Sequence, residues 1–279
     1  MGKERDAMTR PTALLERDES VAIITLNRPE RHNTFNKAFW DDFNLLVDDI
    51  VRKPPRVVIV TGAGRHAFSA GFDVNPDNSL VSSLFDAVMR GERQPVEELI
   101  RFIRTSVDRL VTLPVPVIAA VNGLAFGGGA ELAVRCDLRI ADPCAVFSFS
   151  EVKLGLMPDH GGAVALQRLI GTARAVELIL TGKKINAVEA LQMGLVNQLS
   201  EPGQCLGGAL ELARTIAANG PRAVRASLAV LRQAGDLPAA EALALESTQA
   251  VDLILSKECV AGITAFLSGR KPGFIDPPR

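Results

Sequence analysis

The stretch PVIAAVNGLAFGGGAEL, residues 116–132, carries the pattern that decides the fold of this 279-residue chain. Val117–Val121 is a continuous apolar run, which is typical of a strand buried on both faces of a sheet. The glycines Gly127–Gly129 then lead into a predicted helix at about 128–136. Because glycine lets the backbone approach a ligand closely and a helix N-terminus has free amides, such a turn can form an oxyanion hole. A tight turn that needs glycine only for its dihedral angles would have the same sequence.

Further apolar and amphipathic runs surround this stretch and indicate alternating strands and helices. The predicted elements are two strands within 12–27, a helix from Asn36 to about Val51, strands at 56–61, 138–141 and 146–149, and a helix at about 96–112. Buried strands that alternate with helices predict an α/β fold, in which ligands bind at the carboxyl ends of the strands. Beyond Gly161 the pattern is helical, apart from a predicted strand near Leu195–Leu199.

These patterns predict how the chain is divided. We assign 8–200 to a core that holds the site and 201–279 to a helical C-terminal part, with Met8 taken as the first residue of the fold. Segment 74–95 is polar and contains two prolines, which predicts a mobile loop with a short helix near the site.

Composition excludes several classes of protein. Hydrophobic residues make up 47% and charged residues 23%, as in a globular chain, and 31 Lys and Arg balance 32 Asp and Glu. This charge balance provides no positive field for nucleic acid or an anionic membrane, and no apolar run has the roughly 18 residues of a membrane span. The four cysteines and three histidines show no metal-ligand or disulfide spacing. We therefore expect a cytoplasmic protein with reduced thiols, no metal site, no nucleic-acid partner and no membrane anchor.

Residues 62–67 match the dinucleotide-binding pattern G-x-G-x-x-G/A by their letters alone. That motif works by opening a helix whose N-terminal amides hold a pyrophosphate. Here the chain runs into Ala67–Gly71 without helical periodicity, so we reject a dinucleotide site.

Two glutamates flank the glycine-rich turn and the strand that follows it. Glu131 lies in the first turn of the predicted helix, and Glu151 follows the strand at 146–149. Two carboxyl groups at one apolar site cannot both ionise cheaply, so one can act as a base while the other donates a proton. Taken singly, Glu131 suits the helix dipole, and Glu151 suits a solvated helix cap or a salt bridge.

An ordered set of motifs, spread over nearly the whole chain, resembles the crotonase superfamily of acyl-coenzyme A enzymes, also called the enoyl-CoA hydratase/isomerase superfamily. The motifs are NRPERHN at 27–33, VIVTG at 58–62, FSAG at 68–71, PVIAAVNG at 116–123, AD at 141–142, GLMPDHGG at 155–162 and GLVN at 194–197. The resemblance implies a spiral of β-β-α units, with a helical C-terminal part that mediates homotrimers, often paired into hexamers.

The resemblance also implies an acyl-CoA thioester substrate and no separate cofactor, because coenzyme A is part of that substrate. The backbone N–H groups of Phe72 and Gly128 would hold the thioester oxygen. Glu131 would take a proton from water, and Glu151 would deliver one to Cα. This is the syn hydration of a trans-2-enoyl-CoA to a 3-hydroxyacyl-CoA.

Coenzyme A carries phosphates, and the resemblance implies four contacts with it. These residues are Arg31, Ala70, Arg270 and Lys271. For each of the three cations, a solvated surface charge is the alternative.

Asp159 departs from the hydratase pattern, in which glycine is usual at this position. Dienoyl-CoA isomerases carry Asp there, but they also carry Asp at the position of Glu131, so the chain matches neither pattern completely. One alternative to hydration is therefore a double-bond shift in which Glu151 moves the proton with help from Glu131 or Asp159. Another is an acyl-CoA-binding member without turnover.

Asp159 and its neighbour His160 also have purely structural interpretations. Asp159 suits an N-cap for the helix that opens at Gly161. Since adjacent residues on a turn usually point apart, we expect no catalytic dyad between Asp159 and His160.

Overall fold

A computed structural model describes residues 10–277, so Met8, the predicted first residue of the fold, lies outside the described residues. Its strands are β1 (Ala13–Asp18), β2 (Val21–Leu26), β3 (Val57–Gly62), β4 (Ala67–Ser69), β5 (Val117–Val121), β6 (Leu124–Phe126), β7 (Leu138–Ala141), β8 (Val146–Ser148), β9 (Lys184–Asn186) and β10 (Gln198–Leu199). Its helices are α1 (Lys37–Arg52), α2 (Ser79–Arg90), α3 (Arg93–Val111), α4 (Gly128–Arg135), α5 (Gly162–Ile170), α6 (Thr172–Thr181), α7 (Ala187–Met193), α8 (Cys205–Ala217), α9 (Pro221–Ala234), α10 (Ala239–Leu255) and α11 (Glu258–Leu267).

From β3 to β8, consecutive strands alternate between two sheets, whereas β1 and β2 share the first sheet with β3, and β9 lies beside β8 in the second. The first sheet has the order β1-β2-β3-β5-β7-β10 and is parallel except for β1, whereas the second has the order β4-β6-β8-β9. Each strand pair β3–β4, β5–β6 and β7–β8 therefore crosses from the first sheet to the second. Helices α2 and α3 return the chain to the first sheet after β4, and α4 returns it after β6. This arrangement confirms the predicted α/β spiral of β-β-α units. The carboxyl ends of the second-sheet strands bring the turns after β4, β6 and β8 together.

The first sheet is buried on both faces. All six residues of β3 and all five of β5 are buried, as their continuous apolar runs predict. One face packs against α8 through Cys205, Ala209 and Ala213, whose small side chains allow close approach. The opposite face packs against the aromatic side of α1, which begins after the predicted cap Asn36. Because α8 packs on the first sheet, it belongs spatially with the strands, and the division at residue 200 stays a prediction.

Segment 74–95 is mostly helical, so the predicted loop with a short helix is wrong in its secondary structure. The helix α2 runs for 12 residues from its cap Asn78 to Gly91, which ends it with a φ of 67°. Pro95 lies in the first turn of α3, where backbone N–H groups have no partner within the helix. The N–H that proline lacks is therefore not needed there. Three serines and the two prolines lower the helical signal of the segment, whereas packing of α2 on α3 stabilises the helix.

The prediction that the chain beyond Gly161 is helical apart from a strand near Leu195–Leu199 is wrong, because β9 also lies there, and the predicted strand is shorter, as β10 covers only Gln198–Leu199. The strand β9 pairs antiparallel with β8 and has no signal of its own in the sequence, because three residues are too few for a period.

Between residues 10 and 277, no helix combines the length and the hydropathy that crossing a bilayer requires. The four cysteines carry free thiols.

A buried ion pair ties the turn after β2 to the turn after β4. Nη1 of Arg28 donates to Oδ2 of Asp73 at 2.8 Å and to the carbonyl oxygen of Thr34 at 2.8 Å. Asp73 is only 2% exposed, and its Oδ1 accepts from the Asn75 side chain at 2.6 Å. Burial opposes ionisation of Asp73, but the hydrogen bonds from Asn75 and Arg28 outweigh it and lower the pKa of that carboxyl. This pair therefore fixes the position of Phe72, the neighbour of Asp73.

Asp73→Asn is expected to lower the free energy of unfolding by about 2–4 kcal/mol, because it leaves the Arg28 charge without its buried partner. The matched control is Asp77→Asn, which removes the ion pair between Asp77 and Arg31. The Asp77 carboxylate is 68% exposed, so this substitution should change the free energy of unfolding by less than about 1 kcal/mol. Urea denaturation near neutral pH measures both.

The lowered pKa of Asp73 also sets a pH dependence for this prediction. The contribution of Asp73 is full above its unfolded-state pKa of 3.8 and is lost as the pH falls through its lower folded-state pKa. The stability gap between wild type and Asp73→Asn should therefore close in acid. Equal losses in the Asp73 and Asp77 variants would contradict the anchoring role.

Candidate active site

The glycine turn places an unbonded amide at the start of α4. Gly127 takes a φ of 50°, and its N–H donates to the carbonyl oxygen of Ser148 at 2.9 Å. Gly128 is the first residue of α4, so its N–H has no acceptor within the helix. All residues from Gly128 to Val134 are buried, so this amide lies in an interior environment with the positive end of the helix dipole.

The turn after β4 lies directly against this amide. Gly71 has a φ of 84°, and a Cβ at this position would lie 2.6 Å from Gly128 N and 2.8 Å from the carbonyl oxygen of Phe126. Phe35 bonds to the residues on either side of Phe72: its N–H donates to Gly71 O at 2.8 Å, and its carbonyl accepts from Asp73 N at 3.0 Å. Within residues 10–277, the Phe72 N–H has no acceptor. The structure thus brings the turns of Phe72 and Gly128 together, as predicted, and their assignment to an oxyanion hole stays a prediction.

Glu131 is a buried carboxylate that binds the N-terminus of α5. It is 1% exposed, and its Oε2 accepts from the N–H groups of His160 at 2.9 Å and Gly162 at 2.8 Å. Its Oε1 accepts from Asp159 N at 3.4 Å. Because Glu131 takes these amides, Asp159 does not cap α5; the N-cap is Gly161, which has no capping side chain. The interpretation of Asp159 as an N-cap is therefore wrong.

Glu151 also lies at the glycine turn, but its carboxyl group has no donor. It begins a 3₁₀ helix, Glu151–Leu154, immediately after β8. In the described part of the chain, both side-chain oxygens are buried and neither has a hydrogen-bond partner. A Cβ on Gly127 would lie 3.7 Å from its Oε1. The alternatives of a solvated cap and a salt bridge are therefore wrong, because the carboxyl group faces the interior of the site.

The two glutamates share an environment that favours one proton between them. Burial and the charge of Glu151 raise the pKa of Glu131 to about 8, against the lowering effect of the Gly162 amide. Burial also raises the pKa of Glu151, and the charge of Asp159 adds to that effect. Amide donors stabilise an ionised carboxylate, and Glu131 accepts from the amides of His160 and Gly162. Because the pKa of each glutamate is raised, the pair retains a proton near neutral pH.

Asp159 and His160 contact each other through their side chains, so the expectation that they point apart is wrong. His160 Nε2 lies 3.3 Å from Asp159 Oδ1. The reason is packing: the imidazole is buried against Trp40 and Gly128, which leaves its Nε2 edge towards Asp159. The PDHGG sequence at 158–162 is the only signal for this contact, and its spacing alone does not reveal a buried ring.

Glu131, Asp159 and His160 could each offer one metal-ligand atom, and these atoms lie within 4.8 Å of one another. The Glu131 oxygens already accept backbone amides, and His160 Nε2 already contacts Asp159. The absence of a metal site stays a prediction.

The four predicted coenzyme A contacts fall in two places. Ala70 lies at the site, where its N–H donates to His32 O at 2.9 Å and its carbonyl oxygen would be 4.0 Å from a Cβ on Gly127. Arg31 lies on the turn after β2 and pairs with the exposed Asp77 at 3.2 Å. Arg270 and Lys271 follow α11 and line an open groove of about 510 Å³. Across residues 10–277, no hydrogen bond or ion pair joins Arg31 to these two cations.

A cavity missed by the sequence analysis lies between α1, α2 and α3. Its volume is about 280 Å³, and its lining is mainly apolar: Leu80, Leu84, Pro95, Leu99 and Phe102. The spacings of Leu80 with Leu84 and of Leu99 with Phe102 are the helical signals that could have indicated it.

Comparison with known proteins places this geometry in a family. The sequence profile described as Enoyl-CoA hydratase/isomerase matches residues 16–277. A short-chain-enoyl-CoA hydratase from Clostridium acetobutylicum is 35% identical over 261 residues, which cover 92% of this chain and 95% of that protein. The enoyl-CoA hydratase EchA19 from Mycobacterium tuberculosis is 36% identical over 276 residues, covering 95% and 96% of the two chains.

Solved structures agree with these sequence matches. The crystal structure of an enoyl-CoA hydratase from Bacillus anthracis has a TM-score of 0.85 and 35% identity, and the match covers 94% of this chain and 98% of that one. The spiral of paired strands is thus the architecture of the crotonase superfamily, as its motifs predicted. Within that superfamily, the chain belongs to the enoyl-CoA hydratase/isomerase family.

Gly71→Ala is expected to lower turnover of an enoyl-CoA thioester by about 10²-fold or more, because the new Cβ displaces the Gly128 amide and a lost oxyanion donor costs that much. Gly91→Ala is the matched control: it has the same sign of φ but open space around the Cβ. Both variants are assayed for turnover and for their thermal unfolding midpoint. Similar loss of turnover in the two variants would show that backbone strain, and not contact with Gly128, limits activity.

Proposed function

We propose that the protein is an enoyl-CoA hydratase, which adds water syn across a trans-2-enoyl-CoA to give a 3-hydroxyacyl-CoA. One observation carries the proposal. A carboxylate held by amides, Glu131, lies beside a buried carboxyl group without donors, Glu151, at the unbonded amides of Phe72 and Gly128. This arrangement offers a base, an acid and an oxyanion site in one place.

The proposed reaction uses each group once. The thioester oxygen accepts hydrogen bonds from Phe72 N and Gly128 N, so the negative charge of the enolate develops at the N-terminus of α4. Glu131 removes a proton from water while the water oxygen bonds to Cβ, and Glu151 gives its proton to Cα. One proton then passes from Glu131 to Glu151, which restores the starting state of the pair.

The substrate is proposed to be an acyl-CoA thioester, and coenzyme A is part of it, so no separate cofactor takes part. The position of Ala70 at the site and of Arg31 near it supports contact with the coenzyme A moiety. Arg270 and Lys271 lie on the C-terminal helical part, so we propose that they reach coenzyme A bound by a neighbouring subunit of a homotrimer or hexamer. Exposed apolar side chains on this part support self-association: Leu243, Val251, Ile254, Leu255, Val260, Ile263 and Phe266.

The second candidate function is an isomerase, in which carboxylates move a proton along an unsaturated acyl chain. It is favoured by Asp159, whose charge raises the pKa of both glutamates and whose side chain is 46% exposed. Binding without turnover is disfavoured, because a buried carboxyl group without a partner reduces stability and a binding protein has no use for it.

The test of the proposal is hydration of crotonyl-CoA, followed as loss of the conjugated enoyl-thioester absorbance with 3-hydroxybutyryl-CoA as product. Glu131→Gln and Glu151→Gln should each lower kcat by about 10²–10⁴-fold, because each removes one proton-transfer group. Glu201→Gln, at an exposed position, is the matched control and should retain wild-type turnover.

An unchanged rate in either glutamate variant would contradict the proposed hydration. If the wild-type protein leaves crotonyl-CoA unchanged but converts a 3-enoyl- or dienoyl-CoA, the isomerase is correct. In that case Asp159→Asn should reduce turnover along with Glu151→Gln.

Glu151→Gln is also expected to stabilise the fold at about pH 8, because it removes a buried carboxylate without donors. The pKa of Glu151 is raised above its unfolded-state value of 4.5, so the folded state holds more protons and loses stability as the pH rises above that value. The stabilisation should therefore shrink to nothing as the pH falls towards 4.5. Thermal unfolding midpoints across this range measure it, and a destabilised Glu151→Gln variant at pH 8 would contradict the assignment.

A further inference from the structure

The ring of His160 is fixed on several sides. His160 is 4% exposed, its ring lies edge-on to Trp40 with centroids 6.1 Å apart, and a Cβ on Gly128 would come within 2.5 Å of its Cε1. Its backbone N–H donates to Glu131 at 2.9 Å, and its carbonyl accepts from Arg135 at 2.8 Å. These contacts leave the imidazole one orientation beside the proposed oxyanion site.

Only one ring nitrogen of His160 has a partner among the described residues. Nε2 lies 3.3 Å from Asp159 Oδ1, whereas Nδ1 is buried without one. Burial lowers the pKa of His160, against the raising effect of Asp159, so the ring is neutral near pH 7. A neutral imidazole has one N–H, and the carboxylate 3.3 Å from Nε2 favours the proton on that nitrogen. His160 thus directs the Nε2 edge of a fixed ring at Asp159.

Asp159 depends on this donor for its position. Its side chain is half exposed and has no other hydrogen bond or ion pair in the part of the chain that the structure describes. A carboxylate without such a contact turns into solvent, where it is better hydrated. In its present position, it lies close enough to raise the pKa of both Glu131 and Glu151.

We propose that His160 is a positioning residue that holds the Asp159 carboxylate beside the Glu131–Glu151 pair. This inference rests on the proposed function in that the pair is taken to transfer protons. The fixed third charge keeps one proton on the pair to higher pH, so His160 extends the alkaline limit of activity without contacting the substrate.

The other groups that face His160 leave this electrostatic role to Asp159. Helix α4 contributes Glu131 and Arg135, and the charge of Arg135 lowers the pKa of His160. The Arg135 charge is paired with Asp108 at 2.6 Å. Helix α1 contributes only the uncharged Trp40.

Glutamine and asparagine at position 160 separate positioning from packing. The Gln amide nitrogen reaches as far as His Nε2 and can donate to Asp159, whereas the Asn amide reaches only as far as Nδ1. The experiment measures kcat and KM for the identified enoyl-CoA substrate from about pH 6 to 10 in the wild type, His160→Gln, His160→Asn, Asp159→Asn and the double variant His160→Asn/Asp159→Asn.

In His160→Asn and Asp159→Asn, the alkaline limb of kcat is expected to move down by about one pH unit, because removal of a nearby negative charge lowers the pKa of the pair. This shift corresponds to an about tenfold lower kcat at alkaline pH, with KM within about twofold of wild type. His160→Gln should retain the wild-type limb. The double variant should match the single variants, since both act through one contact.

Losses that add in the double variant, or a uniform loss at every pH in both Gln and Asn variants, would overturn the inference in favour of packing alone. Thermal unfolding of each variant identifies any that fail to fold. If His160→Asn fails, the pH profile of Asp159→Asn is compared with that of His160→Gln to test the inference. If the wild type converts no enoyl-CoA, the proposed function has failed. In that case the inference is still tested by infrared titration of the C=O stretch of the buried carboxyl group in the wild type, His160→Gln and His160→Asn. The His160→Asn variant should lose this stretch at a lower pH than the wild type. An unchanged titration overturns the inference.

Discussion

A buried carboxylate requires hydrogen-bond donors, and the rest of the site depends on how Glu131 obtains them. The donors are the amides at the N-terminus of α5, so Glu131 joins α4 to the loop at 155–162. That joint leaves no room for a side chain at Gly162, where a Cβ would lie 2.8 Å from Glu131 Oε2. It also fixes His160 and Asp159 beside the glycine turn. Loss of the joint would release both the carboxylate and the loop.

The site divides its polar groups into those that are satisfied and those that are not. Glu131 and Asp73 have full sets of donors and serve as anchors. Glu151, Phe72 N and Gly128 N have no partner in the described structure, and unmade hydrogen bonds at interior positions are costly. Such costs persist where a ligand supplies the missing partner. The unsatisfied groups are therefore the places where the thioester and water of the proposed reaction would bind.

Membership of the enoyl-CoA hydratase/isomerase family relates this chain to proteins that share its fold, such as the Bacillus anthracis enoyl-CoA hydratase with 35% identity. The pairing of Asp159 with His160 is a local feature superimposed on that framework. Both residues lie on the loop that Glu131 holds, so a change in the loop can alter the proton balance of the glutamates without changing the strands. The backbone turns and the loop thus carry separable parts of the chemistry.

The amino-acid sequence by itself determined the parts of this protein that depend on local pattern. Continuous apolar runs made β3 and β5 buried strands, Asn36 began α1, and the glycines after β6 formed the turn into α4. The ordered set of motifs was enough to identify the superfamily, because each motif consists of residues that are neighbours in the sequence. The missing helical period after Gly62 was also correct, since the chain enters the strand β4 at Ala67 and not a helix.

Only the tertiary structure decided the features that depend on partners distant in the chain. The strand β9 exists because β8 pairs with it, and α2 forms although its sequence reads as a loop, because it packs on α3. The same holds for the site. Glu131 is satisfied because the fold brings it the amides of His160 and Gly162, which are 29 and 31 residues away, whereas no donor reaches Glu151 in the described structure. His160 points at its neighbour Asp159 because Trp40 and Gly128, both distant in the chain, pack against its ring.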